Sequence, residues 1–130
     1  MIDKAKVLII EDDPLLLNMY ATRLELEDFL VLMAENGEKG LELAKKEKPN
    51  TILLDIILPK MDGFEVLERF KADKATQSIP VILLTNLNQP REVKRGLALG
   101  AEDYLIKAYF TPSEVIDKIK KVINNKVNIK

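Results

Sequence analysis

The sequence contains no cysteine and no histidine, which excludes disulfide bonds, thiol nucleophiles, imidazole bases and the commonest zinc ligands. It also lacks an excess of charge of either sign. Because 20 Lys and Arg residues stand against 21 Asp and Glu residues, no strong field favours nucleic acid or an anionic membrane. No apolar run is long enough to span a bilayer, and no signal-peptide core is visible. We therefore expect a cytoplasmic location, no direct nucleic-acid or membrane partner, and chemistry based on carboxylates, hydroxyls, lysines and backbone groups.

Five short apolar runs alternate with segments of helical spacing. Most runs are continuously apolar, which predicts a parallel sheet covered on both faces by helices. Five strand-to-helix alternations are typical of a doubly wound α/β domain with right-handed crossovers. We place this domain at residues 1–124 and predict a frayed polar tail at 125–130. The predicted strands are Val7 to Ile10, Leu30 to Met33, Ile52 to Leu54, Val81 to Leu84 and Tyr104 to Ile106.

Capping residues predict where the helices begin. Asp13 followed by Pro14 supplies an N-cap and a proline at the first helical position. Thr111 and Glu114 form a capping box at the start of the last helix. The other starts are expected at Asn36, at Asp62 and within Asn88 to Pro90, and the fourth helix is expected to bury Val93 and Leu97 and to end at Gly100.

Four of the five predicted strands end with polar functional groups. Since the carboxyl ends of parallel strands meet at one edge of a sheet, these groups should converge if the first and third strands are neighbours. Taken alone, each has an ordinary structural interpretation, and for Asp13 the N-cap role is preferred. The polar groups are Glu11, Asp12 and Asp13 after the first strand, Asp55 after the third, Thr85 at the end of the fourth and Lys107 after the fifth.

Three neighbouring carboxylates, those of Glu11, Asp12 and Asp55, would repel one another unless a cation lay between them. Mg²⁺ suits such a site because it prefers oxygen ligands and is usually held by one or two carboxylates together with phosphate oxygens. Asp55 could then attack phosphorus and form an acyl phosphate. Thr85 and Lys107 would provide a hydroxyl donor and a positive charge for the phosphoryl oxygens.

Four segments resemble the receiver domain of two-component response regulators, in its stand-alone single-domain form, and the resemblance covers almost the whole chain. The resemblance implies a flavodoxin-like fold, with a doubly wound five-stranded parallel sheet in the order 2-1-3-4-5 and five helices. The segments are Val7 to Pro14, Leu53 to Gly63, Pro80 to Thr85 and Gly100 to Lys107.

The resemblance also implies a role for each site residue. Asp55 would be the phosphoacceptor, Glu11 and Asp12 the acidic pair, and Asp12 a direct metal ligand. The backbone carbonyl of Ile57 would complete the protein's share of the magnesium shell. Three further roles are implied: a switch hydroxyl for Thr85, an aromatic that follows it for Tyr104, and a phosphate-binding lysine for Lys107.

The implied function is a phosphorylation switch that catalyses only its own phosphorylation and autodephosphorylation and is not otherwise an enzyme. A sensor histidine kinase or a histidine phosphotransfer protein would supply the phosphoryl group. A downstream protein would read the state on the face formed by the fourth helix, fifth strand and fifth helix. A phosphorylation-dependent dimer is compatible with this scheme.

Two positions depart from the family pattern. Asn86 replaces a small residue after Thr85, and Ala108 replaces a proline after Lys107, where we expect a trans or a strained loop. These departures leave open a receiver-like docking scaffold that no longer switches. An aspartate-nucleophile phosphatase is a further alternative, but it usually needs a second carboxylate at the position of Ile57.

Overall fold

The computed structural model describes the backbone of residues 4–128 and the side chains of residues 4–125. Strands and helices alternate along this part of the chain, as predicted. The elements are β1 (Lys6–Ile10), α1 (Pro14–Leu26), β2 (Leu30–Ala34), α2 (Gly37–Glu47), β3 (Thr51–Leu54), α3 (Gly63–Ala72), β4 (Val81–Thr85), α4 (Pro90–Ala98), β5 (Asp103–Ile106), a 3₁₀ turn (Lys107–Tyr109) and α5 (Pro112–Asn128).

All five strands form one parallel sheet in the order β2-β1-β3-β4-β5, which confirms the predicted fold. The chain first runs outward from β1 to β2 and then crosses to β3 on the other side of β1, so the strand order reverses between β1 and β3. Ile10 pairs with Leu54 across this junction. The residues that follow these two strands therefore leave the sheet side by side, at the switch point where ligands bind in such sheets.

The sheet is buried on both faces, which explains why its strands are continuously apolar. Leu8 and Ile10 of β1 face a cluster that includes Phe64, Leu67 and Phe70 of α3. The alternate residues of β1 face a second cluster, formed mainly with α1 and α5. Strand β1 thus contributes to both halves of the core, and its carboxyl end is held in place from both sides.

The predicted helix caps are confirmed. The Asp13 carboxylate accepts hydrogen bonds from the N–H groups of Leu15, at 2.9 Å, and Leu16, at 3.4 Å. In the capping box of α5, the Thr111 N–H donates to Glu114 Oε1 at 2.8 Å, and the Glu114 N–H donates to Thr111 Oγ1 at 3.2 Å. These bonds satisfy backbone donors that a helix start would otherwise leave unpaired.

The prediction for the buried face of α4 is partly wrong. Leu97 is 47% exposed and Val93 is only half-buried, whereas Gly96 is the buried residue of this helix. The reason is steric: Gly96 has no side chain, so the helix backbone lies directly against Leu83 and Tyr104, and this turns Leu97 toward solvent. Gly100 follows the helix with φ = 106°, as its predicted role at the helix end requires.

Two further expectations concern the end of the chain and its loops. Helix α5 continues to Asn128, so the predicted tail begins within a helix, and residues 129–130 of that tail lie outside the described residues. The peptide bond between Lys107 and Ala108 is trans, since no cis bond occurs within residues 4–128. Over the same range, no helix has the length and apolar character needed to cross a membrane.

The close approach of α3 to β3 gives a test of the fold. A Cβ atom on Gly63 would lie 2.3 Å from the Asp55 carbonyl oxygen and 2.5 Å from Ile56 Cα, both backbone atoms that cannot rotate away. We expect Gly63→Ala to lower the free energy of unfolding by about 2 kcal/mol or more, measured by urea denaturation.

Glu68→Ala, at an exposed position of the same helix α3, is the control. It removes a side chain at the surface and adds no buried atom, so the free energy of unfolding should change by less than about 0.5 kcal/mol. Equal losses in the two variants would contradict the idea that the backbone contact of Gly63 matters.

Candidate functional site

The backbone of the sheet places two acidic residues side by side. The Glu11 N–H donates to the Ala34 carbonyl at 3.0 Å, and the Asp55 N–H donates to the Ile10 carbonyl at 3.0 Å. Both bonds extend the hydrogen bonding of the sheet one residue beyond the strands. Glu11 is 4% exposed and Asp55 is 6% exposed, so two carboxylates lie buried at the carboxyl edge.

A third carboxylate completes the cluster. One carboxylate oxygen from each of Glu11, Asp12 and Asp55 lies within 4.8 Å of the others. Asp12 is exposed, which leaves the cluster open to solvent on that side. An all-oxygen donor set of this kind fits a hard divalent cation such as Mg²⁺ better than a soft transition metal. The predicted acidic cluster is therefore present and could hold a metal ion.

Lys107 forms ion pairs with both buried carboxylates. Its Nζ donates to Glu11 Oε1 at 2.8 Å and to Asp55 Oδ2 at 2.8 Å, and its side chain is only 13% exposed. The remaining oxygens accept backbone hydrogen bonds: Glu11 Oε2 from the Asp13 N–H at 3.1 Å, and Asp55 Oδ1 from the Ile57 N–H at 3.2 Å. All four oxygens of the buried pair thus have a donor.

Burial and charge act in opposite directions on these groups. Burial raises the pKa of Glu11, and it outweighs the lowering effect of the Lys107 and Asp13 hydrogen bonds. Burial alone would lower the pKa of Lys107, but the hydrogen bonds to Asp55 and Glu11 outweigh it and leave the pKa raised. The lysine is thus held in its charged form by the two carboxylates with which it pairs.

Thr85 and Tyr104 are connected through the backbone of Leu87, in the loop between β4 and α4. Thr85 is fully buried, and its Oγ1 accepts a hydrogen bond from the Leu87 N–H at 3.4 Å. The Tyr104 hydroxyl donates to the Leu87 carbonyl at 2.7 Å. Burial, followed by the charges of Glu92 and Asp55, raises the pKa of Tyr104 to about 12. The Leu87 backbone therefore links the two hydroxyl groups.

The structure brings most of the predicted site residues together. Glu11, Asp12, Asp55 and Lys107 form the cluster, and Ile57 reaches it through its N–H group. Thr85 and Tyr104 meet at Leu87 instead of at Asp55. Sequence reasoning missed the hydrogen bonds of the Leu87 backbone and the packing of Gly96. The glycine inside a helical pattern was the available signal for Gly96, whereas nothing in the sequence marks the bonds of the Leu87 peptide groups.

The surface also has a concave region away from the carboxylate cluster. A groove of about 580 Å³ runs between α2 and the end of α3, lined in part by Leu41, Lys45 and Arg69. Its carboxylate, that of Asp73, is paired with Lys45 at 3.1 Å. This groove lacks the convergent acidic groups of the sheet edge, so the chemistry points to the carboxylate cluster.

Residues 7–120 match the family model of the response regulator receiver domain. The chain belongs to this family. The receiver domain is 38% identical over 118 residues to the DNA-binding dual master transcriptional regulator RpaA of Synechocystis. The matched residues make up 91% of this chain and 48% of that protein. It is also 39% identical over 103 residues to protein PilH of Pseudomonas aeruginosa. Here the matched residues make up 79% of this chain and 85% of PilH.

Solved structures agree with this assignment. A CheY-like response regulator receiver domain protein from Methanospirillum hungatei superposes with a TM-score of 0.86 at 31% identity, covering 95% of this chain and 96% of that one. The chain spans about half the length of the first curated relatives that it matches. Signalling by two-component systems is thus the functional context of the fold, as the resemblance implied.

The buried ammonium group of Lys107 gives a test of the site in this receiver domain. Lys107→Met leaves two buried carboxylates without their cation, so we expect the free energy of unfolding to fall by about 3 kcal/mol at pH 8 without metal. A group whose pKa is raised in the folded state loses its stabilising contribution as the pH rises through that pKa. Because removing Lys107 raises the pKa of Glu11 further, the loss should be smaller at pH 5. Urea denaturation at both pH values measures it.

Lys118→Met serves as the control. The Lys118 ion pair with Asp103 spans 3.9 Å, and both side chains are more than a third exposed. Its loss should change stability by less than about 1 kcal/mol, with little dependence on pH. If Lys107→Met behaved in the same way, Lys107 would not be the counter-ion of the buried pair.

Proposed function

We propose that this receiver domain is a signalling switch in which Asp55 accepts a phosphoryl group. The observation that carries the proposal is the environment of Asp55: a buried carboxylate within 4.8 Å of two others and 2.8 Å from a lysine ammonium. Only the Asp55 carboxylate of the buried pair follows the central strand β3, beside β4 and its terminal Thr85. Strand β3 therefore lies between β1, which precedes Glu11 and Asp12, and β4, which ends in Thr85.

Mg²⁺ is the proposed cofactor, held by Glu11, Asp12, Asp55 and the backbone carbonyl of Ile57. When bound, the ion would neutralise the acidic cluster and the phosphoryl oxygens of the donor. An Asp55 carboxylate oxygen then forms a bond to phosphorus, the bond from phosphorus to the donor breaks, and its electron pair leaves with the donor. The product is an acyl phosphate on Asp55.

Lys107 and Thr85 complete the proposed reaction. The ammonium of Lys107 is already in place beside Asp55, where it can pair with a phosphoryl oxygen as the carboxylate charge is used in the new bond. The Thr85 hydroxyl can donate to another phosphoryl oxygen. Since Thr85 Oγ1 also accepts from Leu87, which binds Tyr104, Tyr104 is the proposed second member of the switch.

The proposed donor is a sensor histidine kinase or a histidine phosphotransfer protein, and the location is the cytoplasm. A downstream protein would read the state on the face formed by α4, β5 and α5. Helix α4 carries Leu97, which is 47% exposed and offers an apolar contact. Phosphorylation could also be read through a dimer formed on this face.

A docking scaffold that does not switch is the second candidate. It is favoured by the satisfied state of the pocket, in which all four oxygens of Glu11 and Asp55 already accept hydrogen bonds. A phosphatase with an aspartate nucleophile is disfavoured, because Ile57 offers no acid or base two residues after Asp55.

Incubation with Mg²⁺ and acetyl phosphate should therefore add one phosphoryl group, which alkali should release, and intact-mass spectrometry would detect it. Asp55→Asn should abolish the adduct, since an amide oxygen is a poor nucleophile. Asp62→Asn is the matched control. Asp62 caps α3 through a bond to the Glu65 N–H, and asparagine caps equally well, so this variant should still be phosphorylated. An adduct that persisted in Asp55→Asn would refute the assignment, and its absence from the native protein at saturating donor would favour the scaffold.

Mg²⁺ alone should stabilise the fold, because it neutralises carboxylates that are close together only in the native state. At ten times its dissociation constant the ion should add about 1.4 kcal/mol to the free energy of unfolding, visible as a higher melting temperature. Asp12→Asn should remove most of this effect.

Glu102→Gln, an exposed change before β5 and thus at the opposite edge of the sheet, should keep the Mg²⁺ effect. A melting temperature that is independent of Mg²⁺ in all three proteins would argue against the metal site.

A further inference from the structure

Helix α4 inserts little of itself into the core. Gly96 is the only buried residue in its range, Pro90–Ala98, so no side chain of this helix is fully buried. Val93 packs against the core only in part, and Leu97 is 47% exposed. A helix of nine residues has little stability of its own in water. The position of α4 therefore depends on the few tertiary contacts that it makes.

Arg95 makes the contact that joins α4 to helix α3. Its guanidinium carbon lies 4.2 Å from the centroid of the Phe64 ring, well inside the distance of about 6 Å at which cation–π attraction acts. Within residues 4–125, no carboxylate forms an ion pair with Arg95, so the cation is available to the ring. Phe64 is 4% exposed, and the ring that receives the cation is thus fixed in the core.

Phe64 connects this contact to the backbone beside Asp55. It follows Gly63, where a Cβ atom would lie 2.3 Å from the Asp55 carbonyl oxygen. The Gly63 N–H also donates to the Ile56 carbonyl at 2.8 Å. The first turn of α3 is thus packed directly on the backbone of residues 55–56, and a displacement of that backbone would reach the Phe64 ring.

We propose that Arg95 is a positioning residue that fastens α4 to the first turn of α3 through the Phe64 ring. The contact gives the backbone beside Asp55 a route to α4 that does not pass through Leu87, and in this it goes beyond the proposed switch. The contact accompanies the arrangement in which Asp55 pairs with Lys107. A phosphoryl group that took over this lysine would displace the start of the route and weaken the contact, and this last step rests on the proposed function.

Hydrogen exchange of the backbone amides of α4 tests the fastening, because exchange reports local opening. Arg95→Gln removes the cation, while glutamine favours a helix about as well as arginine does. We expect the amides of residues 96–99 to exchange about two- to fivefold faster, which corresponds to a loss of about 0.5–1 kcal/mol. Arg95→Lys keeps a cation and should restore most of the protection. Unchanged exchange in Arg95→Gln would overturn the proposal.

Lys94→Gln is the matched control. Lys94 is an exposed cation of the same helix, and it has no ion pair or ring contact in the described part of the chain. Its loss should leave the exchange of α4 unchanged. An equal increase in both variants would reveal a general effect of helix charge, and the specific role of Arg95 would then be wrong.

A double-mutant cycle with Phe64→Leu assigns the effect to the ring. Leucine keeps an apolar side chain in the core but has no π face, so Arg95→Gln should cause no further increase in exchange in this background. If Arg95→Gln acted equally in the Phe64→Leu background, Arg95 would hold α4 through another group, which contradicts the proposal.

Binding of beryllofluoride with Mg²⁺, a phosphoryl mimic, measures the coupling to Asp55. If the contact weakens on binding, Arg95→Gln should bind the mimic about two- to fivefold more tightly than the native protein, because no contact remains to be weakened. Arg95→Lys and Lys94→Gln should bind it as the native protein does. Equal or weaker binding by Arg95→Gln would refute the coupling. If none of these proteins binds the mimic, the phosphoacceptor role fails, while the exchange rates still decide the role of Arg95.

Discussion

One ammonium group between two buried carboxylates is the interaction on which the site depends. Lys107 contacts Glu11 and Asp55 at 2.8 Å each, and these residues follow β5, β1 and β3. A buried carboxylate without a partner is costly, so the lysine ties together the ends of three strands that are not all neighbours. The same arrangement leaves a concentrated acidic cluster near solvent, where a divalent ion could share or replace the role of the lysine.

Close backbone packing fixes the positions of these groups. Gly63 brings α3 against the Asp55 carbonyl oxygen, and the Gly63 N–H donates to the Ile56 carbonyl at 2.8 Å. These contacts hold the start of the loop after Asp55. The Ile57 N–H also donates to the Asp55 carboxylate, which fixes the side chain. A carboxylate held from its backbone, its side chain and the adjoining helix has little rotational freedom to lose when it binds a ligand.

The sequence predicted a parallel sheet with polar groups at one edge because both follow from short-range rules. Continuous apolar runs indicate strands covered on both faces, and parallel strands bring Glu11, Asp12, Asp55 and Lys107 to one edge. The strand order that makes the first and third strands neighbours came from the family resemblance. The prediction failed at α4, where the spacing favoured Leu97 as a buried residue. A prediction from helical periodicity assumes that large apolar side chains pack between a helix and the sheet. At Gly96 the helix backbone itself packs against the sheet. The Leu87 link was out of reach for another reason: the partner of a loop peptide depends on tertiary contacts, which leave no pattern in sequence.

A ligand bound beside Asp55 can change the position of Tyr104 only if it interacts differently with two arrangements of the residues between them. The structure offers one such path, in which the Leu87 N–H binds Thr85 and the Leu87 carbonyl binds Tyr104. In the proposed switch, a movement of the Thr85 hydroxyl toward a phosphoryl group would alter the first bond and, through the Leu87 backbone, act on the second. Because Tyr104 in turn lies against the backbone of α4 at Gly96, the helix that bears the exposed Leu97 stands at the end of this path.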